Sequence, residues 1–399
     1  MPRFILLLKN RFVYTILLSN LFSQLGIWIR NFAVLLYVME KSNADAFAVS
    51  MISVAEYAPI FVLSFIGGVF ADRWRPKRTI VWCECLSTFS VFIVFLLLDA
   101  GSWTAVFFAT LSSSIFSQFA QPSGMKLFKI HVSDEDAPIC MSVLQTLFSI
   151  FMLAGPVLGT FVYRQFGIEL AILWTGASFL LSALAMLFLP ADRQQVSDKT
   201  QDQTSLLHEM AEGIRFVFLK KELLWLNLCF TCVGLGAGLI APLGIFLITE
   251  RLGLPAHDLP WITVPYGLGE MIGGIVTFVL AAKMAPYRLL MAGLVVNGCG
   301  ILIAGFSTNL WLLMPVQFII ALLQPAIFIG NHALVMKHTE QEYVGRVTGI
   351  RTPVMTGAML LAMSSAGVLK NILSLPAVYG LAGCSFLAGA LIMIPFYRR

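Results

Sequence analysis

From Phe12 onward the chain is a succession of apolar runs about a bilayer long, broken by short charged or turn-rich segments. A transmembrane helix needs about 20 mainly apolar residues. The pattern predicts twelve such helices, near 12–38, 46–70, 79–98, 103–124, 138–163, 168–190, 222–249, 259–281, 288–306, 310–335, 344–369 and 374–396. The one long polar interruption runs from Ala191 to Lys221. It opens on Asp192-Arg193-Gln194-Gln195 and turns amphipathic, with Leu206, Leu207, Met210, Ile214 and Phe218 at helical spacing. It reads as a cytoplasmic linker ending in a helix on the membrane surface. The predicted fold is an all-α membrane protein of twelve transmembrane helices in two pseudo-symmetric six-helix bundles, 1–190 and 222–399, joined by the linker 191–221.

Weak internal repetition supports the duplication. Ala71-Asp72-Arg73-Trp74-Arg75-Pro76-Lys77-Arg78 lies between helices 2 and 3, and Ala281-Ala282-Lys283-Met284-Ala285-Pro286-Tyr287-Arg288 lies between helices 8 and 9. Alanine, cation, proline and arginine recur at fixed offsets, as expected of a duplicated transporter. Ser114 and Gln121-Pro122 of helix 4 are echoed by Gln317 and Gln324-Pro325 of helix 10.

Composition agrees: 58% of residues are hydrophobic and 12% charged, against about 25% charged in soluble domains. With the N-terminus inside, 21 of the 26 Lys and Arg fall on the inner side, Arg346 and Arg351 among them. Lys41, Arg164, Arg251 and Lys370 fall outside, and Arg30 within a span. That bias places both termini in the cytoplasm of a cell membrane. It also accounts for the net charge of +5 without nucleic acid. Phe4 to Leu8 is too short for a signal peptide. Cys229 and Cys232 form a CxxC on an apolar helix and read as core residues. No Walker motif, zinc cluster or nucleophile–histidine arrangement is present, so neither an enzyme nor a cofactor is expected.

Gly68-x-x-x-Asp72-Arg73 followed by Lys77-Arg78 resembles the loop 2–3 signature of the major facilitator superfamily. Ser23-Gln24-Leu25-Gly26 and Gly345-Arg346-Val347 resemble its macrolide-efflux and siderophore-exporter-like branch of twelve-helix drug:proton antiporters, and Gly155-Pro156-x-x-Gly159 resembles part of the antiporter motif. Arg75 and Phe151 stand where glycine is common, and Ser113 stands where many such antiporters carry a helix 4 arginine. The resemblance implies a cavity lined by helices 1, 4, 7 and 10. It also implies a cytoplasmic gate in which Asp72 meets the start of helix 11, with Gly68, Arg73, Lys77, Arg78 and Arg346 around it. A helix N-terminus favours a carboxylate by about 0.3–2 kcal/mol.

Four ionisable residues fall within spans: Arg30, Glu56, Glu84 and Glu270. Each costs about 2.5–3.5 kcal/mol at mid-helix, so a partner or a function is expected. At 1.5 Å per residue, Arg30 lies about 27 Å above Phe12 and Glu56 about 24 Å above Asp72, which predicts an ion pair between them. That pair reads equally as a static clasp or as a switch that a proton or cationic substrate opens at Glu56. Glu270, in Pro265-Tyr266-Gly267-Leu268-Gly269-Glu270, has no partner at its depth and is the first candidate for proton coupling, with Glu56 second. Glu84, six residues into helix 3, is expected to snorkel to the interface. Ser19, Ser23 and Arg30 share one stripe of helix 1, and Asn20, Gln24 and Asn31 the next; Gln317, Gln324 and Asn331 share a face of helix 10. Asn20, Gln24, Arg30, Gln121, Tyr266 and Gln324 are the expected cavity residues, with interhelical hydrogen bonding as the plainer role for such groups.

These features read as a monomeric, proton-coupled exporter of hydrophobic or amphipathic small molecules of a drug or macrolide type, working in a lipid bilayer. An exporter of a siderophore or peptide antibiotic, for which Arg30 would serve an anion, and a non-transporting sensor or scaffold remain as alternatives. Asp72→Asn is expected to leave the protein in the membrane while lowering transport; unchanged export by vesicles with normal protein levels would remove the gate role.

Overall fold

The computed structural model describes residues 10–64, 75–97, 103–132, 136–189, 219–340 and 344–397. Among these there is no strand. The helices are α1 (Arg11–Lys41), α2 (Ala46–Ser64), α3 (Pro76–Leu97), α4 (Trp103–His131), then the run Ala137–Leu187. That run breaks at Gly167 (φ 73°, ψ −179°), a conformation open to glycine and to little else. It is therefore two helices, α5 (137–166) and α6 (168–187). α7 (Lys221–Ile240), α8 (Pro260–Ala281), α9 (Pro286–Phe306), α10 (Leu310–His338), α11 (Val344–Leu373) and α12 (Leu375–Tyr397) follow.

Ten described helical stretches are long and apolar enough to cross a membrane, and the break at Gly167 divides one of them, Ser142–Leu187, into two limbs. α4 is not among the ten; Ser112-Ser113-Ser114 and Ser117-Gln118 dilute its apolar character. α7 is regular only to Ile240, not to the expected 249. Pro242 lacks an amide hydrogen, and the chain passes through a 3-10 turn (Ala241–Leu243) and a single α turn (Gly244–Phe246). It ends in a π turn (Leu247–Arg251).

The chain divides into two compact units, Met1–Ala48 with Ala55–Val196, and Val49–Val54 with Ser197–Arg399. In the first, α1 lies along the α5–α6 hairpin, and α3 packs on α4 and on the hairpin. The α1–α5 approach is set by small residues. A Cβ on Gly155 would stand 2.4 Å from the Trp28 ring, and one on Gly159 would stand 2.6 Å from the Phe32 Cβ. Trp28 and Phe32 themselves stack at 6.0 Å. In the second unit α7 packs on α11 and α12, α9 on α10 and α12, and α8 on α10. Its irregular α7 extension is tied down at the end: Lys370 pairs with Glu250 and lies 4.1 Å from the Phe246 ring, and Arg251 donates to the Phe306 carbonyl at 2.7 Å. The linker 190–218 lies outside the described residues.

Gly155→Leu is expected to lower unfolding stability by about 1–3 kcal/mol, the usual cost of overpacking. Gly176→Ala, where the nearest atom is 3.5 Å away, should be close to neutral. Melting of the two variants in detergent checks both.

Candidate functional site

The first cluster grows from adjacent residues on α1. Arg30 is 3% exposed, and its guanidinium donates to the Ser113 hydroxyl of α4 and, at 2.8 and 3.1 Å, to the Asn31 carboxamide oxygen. The amide nitrogen of Asn31 in turn donates to Glu56 of α2 at 2.6 Å. The expected direct Arg30–Glu56 ion pair is thus replaced by a relay. A carboxamide accepts on one atom and donates from the other, so it bridges a cation and an anion. The two charges still act on one another across it. Ser113, the position where an arginine was looked for, receives a guanidinium from the neighbouring helix instead.

Lower on α1, Ser19 bonds Ser182 of α6 at 2.8 Å, and Asn20 turns its amide nitrogen back to the Ile16 carbonyl at 2.9 Å. Asn20 and Gln24 line a cavity of about 120 Å³ inside the first unit, with Glu84 in its wall. Glu84 corrects the expectation made for it. Its side chain does not snorkel; it is 5% exposed and accepts a hydrogen bond from Ser182 at 3.1 Å. Height along α3 suggested the interface, but the side chain turns inward to Ser182 of α6.

The second cluster belongs to the other unit. The Tyr266 hydroxyl of α8 donates to the Gln324 amide oxygen of α10. Glu270 follows Tyr266 by one turn, and among the described residues its Oε2 is buried with no hydrogen-bond partner. The α8–α10 contact is close enough to exclude side chains: a Cβ on Gly269 or Gly273 would stand 2.3 or 2.2 Å from the carbonyls of Phe318 and Leu322. Asn331, also on α10 and fully buried, accepts from Arg351 of α11 at 2.6 Å. The Arg351 guanidinium lies 4.9 Å from the Phe230 ring of α7, a cation–π distance. Arg351 was counted with the inner-side cations and given no partner. The signal was present, since the residue lies seven positions inside the helix predicted from 344, about 10 Å deep at 1.5 Å per residue.

Of the gate residues, Gly68, Asp72 and Arg73 lie outside the described residues, as do the side chains of Arg346 and Gln121. Arg78 is exposed in the first turn of α3. Lys77 donates to the carbonyls of Leu189 and, at 3.3 Å, Leu187, where α6 ends. A cation there satisfies terminal carbonyls and complements the helix dipole.

The relay makes a stability prediction. Glu56→Gln alone leaves Arg30 as an uncompensated buried charge and should destabilise by about 3–5 kcal/mol, whereas Arg30→Met with Glu56→Gln should cost less than that. Thermal unfolding of the single and double variants measures the difference.

Comparison with known proteins places the chain in a family. The model of the Major Facilitator Superfamily matches residues 16–241 and 226–399. The chain is 25% identical to the MFS-type transporter YkuC of Bacillus subtilis, over 90% of this chain and 86% of the relative. It is 22% identical to the multidrug efflux pump Tap of Mycobacterium tuberculosis, over 92% of this chain and 88% of the pump. The crystal structure of the nucleoside transporter NupG superposes with a TM-score of 0.78 at 14% identity, covering 98% of this chain and all of that one (100%). The chain belongs to the Major Facilitator Superfamily and is a multi-pass membrane transporter.

Proposed function

We propose that the chain is a proton-coupled secondary active exporter of hydrophobic or amphipathic small molecules, working by alternating access in a cell membrane with both termini cytoplasmic. The observation that carries the coupling is Glu270, whose Oε2 is buried without a hydrogen-bond partner one turn beyond the Tyr266–Gln324 pair. An unpaired carboxylate inside a bundle is costly, and taking up a proton removes the charge. Proton arrival and departure at this position would therefore bias the equilibrium between the two faces. Glu56 is the second coupling residue in this reading, reached through the Asn31 relay. Similarity along most of the chain to the efflux pump Tap supports the outward direction and the substrate class.

The dedicated siderophore or peptide-antibiotic reading rested on Arg30 as a receptor for an anion. That guanidinium is 3% exposed and engaged by Ser113 and Asn31, so it offers an incoming anion little.

Glu270→Gln is expected to abolish the pH dependence of transport while leaving the protein folded. The measurement is flux after a pH jump in proteoliposomes, with cationic, neutral and anionic compounds in parallel. A mutant whose flux keeps the wild-type pH profile removes Glu270 from the coupling step.

A further inference from the structure

We propose that the cavity beside Glu84 is a binding subsite for the ammonium head of an organic cation, with the Glu84 carboxylate as its counter-charge. Its place in transport rests on the exporter reading above; its existence as a binding site does not.

Charge is the first argument. Glu84 is 5% exposed, and the groups that face its carboxyl are neutral hydroxyls, Ser182 at 3.1 Å and Ser23. Among the described residues no cationic side chain pairs with it. Hydroxyls satisfy the carboxylate's lone pairs but leave its charge uncompensated, and such a buried charge is relieved either by a proton or by a counter-ion. The positive group nearest to this wall by its bonds is Arg30, through Ser113. It is bound to Asn31 and offset by Glu56, so it neither neutralises Glu84 nor fills the cavity.

The walls are the second argument. The lining includes oxygen acceptors: Glu84, the Ser19 hydroxyl, and Asn20, whose amide nitrogen is committed to the Ile16 carbonyl, leaving its oxygen to accept. It also includes the rings of Phe116, Phe148 and Phe179. Carboxylate and aromatic rings together are the surroundings that recognise an organic cation. A primary ammonium has three donors and no acceptor, which suits these acceptors. An anion would meet the Glu84 charge, and a neutral guest would leave that charge unpaired.

Size is the third. The cavity is small, about 120 Å³. It admits a charged head with a short apolar stem, not an entire amphipathic molecule. The subsite therefore reads the charged end of a larger ligand.

The experiment is calorimetric titration of the purified full-length protein with 2-phenylethylammonium and its neutral counterpart 2-phenylethanol. The wild type should prefer the ammonium by about tenfold or more, the usual worth of a hydrogen bond to a charged group. Glu84→Gln should bring the ammonium down to the alcohol's affinity, and the milder Ser19→Ala should weaken it about threefold, a fraction of the charged bond. Equal binding of the two compounds by the wild type, or binding of neither, overturns the proposal. So does a preference that survives both substitutions in folded protein. Should Glu84→Gln fail to fold, the wild-type preference and Ser19→Ala decide the matter. Flux in proteoliposomes separates this from the exporter reading. A wild type that binds the ammonium but moves no compound removes the exporter and leaves the subsite. A wild type that exports without an ammonium preference does the reverse.

Discussion

Lipid tails can neither donate nor accept a hydrogen bond, so a polar group carried into these bundles must find its partner within the protein, on its own helix as Asn20 does or on a neighbour. That requirement decides which helix faces turn inward. On α1 the adjacent Arg30 and Asn31 reach α4 and α2, while Ser19, three turns lower, reaches α6. On α10, Gln324 meets α8 and Asn331 meets α11. Glycines bring backbones close where α8 meets α10, beside the Tyr266–Gln324 bond, and where α1 meets α5, against Trp28 and Phe32. Between α8 and α10, small residues and polar residues are thus parts of one device: the first set the spacing, and the second use it.

The two units meet the constraint unequally. In the first, the chain from Ser113 through Arg30 and Asn31 to Glu56 leaves both charges hydrogen-bonded. In the second, Arg351 is held by Asn331 and Phe230, but Glu270 keeps one oxygen without a partner. A completed network resists rearrangement, whereas an incomplete one marks where a proton or ligand changes the balance. Glu84 stands between these cases, since its hydrogen bonds are made and its charge is not balanced.

Much of this was legible before any coordinates. Apolar runs outlined the helices, with a break between 163 and 168 where the structure turns at Gly167, and the seven-residue spacing on helix 10 set Gln324 and Asn331 on one face, from which each bonds a neighbouring helix. What escaped was direction around the helix axis. Counting residues gives height, and by height Arg30 and Glu56 were rightly level. It cannot say that Asn31 would stand between them, because that depends on the rotation of α1 against α2. Glu84 failed for the same reason: its height suggested the interface, while its azimuth turned it to Ser182. Arg351 escaped by a different route, since it was counted only toward the inner-side charge although it lies seven residues into the helix predicted from 344. The irregular end of α7 follows from Pro242, a local signal that a hydrophobic run conceals.

The meeting of Arg30 with Ser113 has a consequence for descent. One space between α1 and α4 holds one guanidinium, and either helix can supply it. A large side chain at 113 would have to displace the arginine at 30, and an arginine at 113 would make the one at 30 redundant. The two positions should therefore change together across relatives, as a single charge that migrates between neighbouring helices. A column-by-column comparison would score that migration as one loss and one unrelated gain, and would mistake a conserved cation for a missing one.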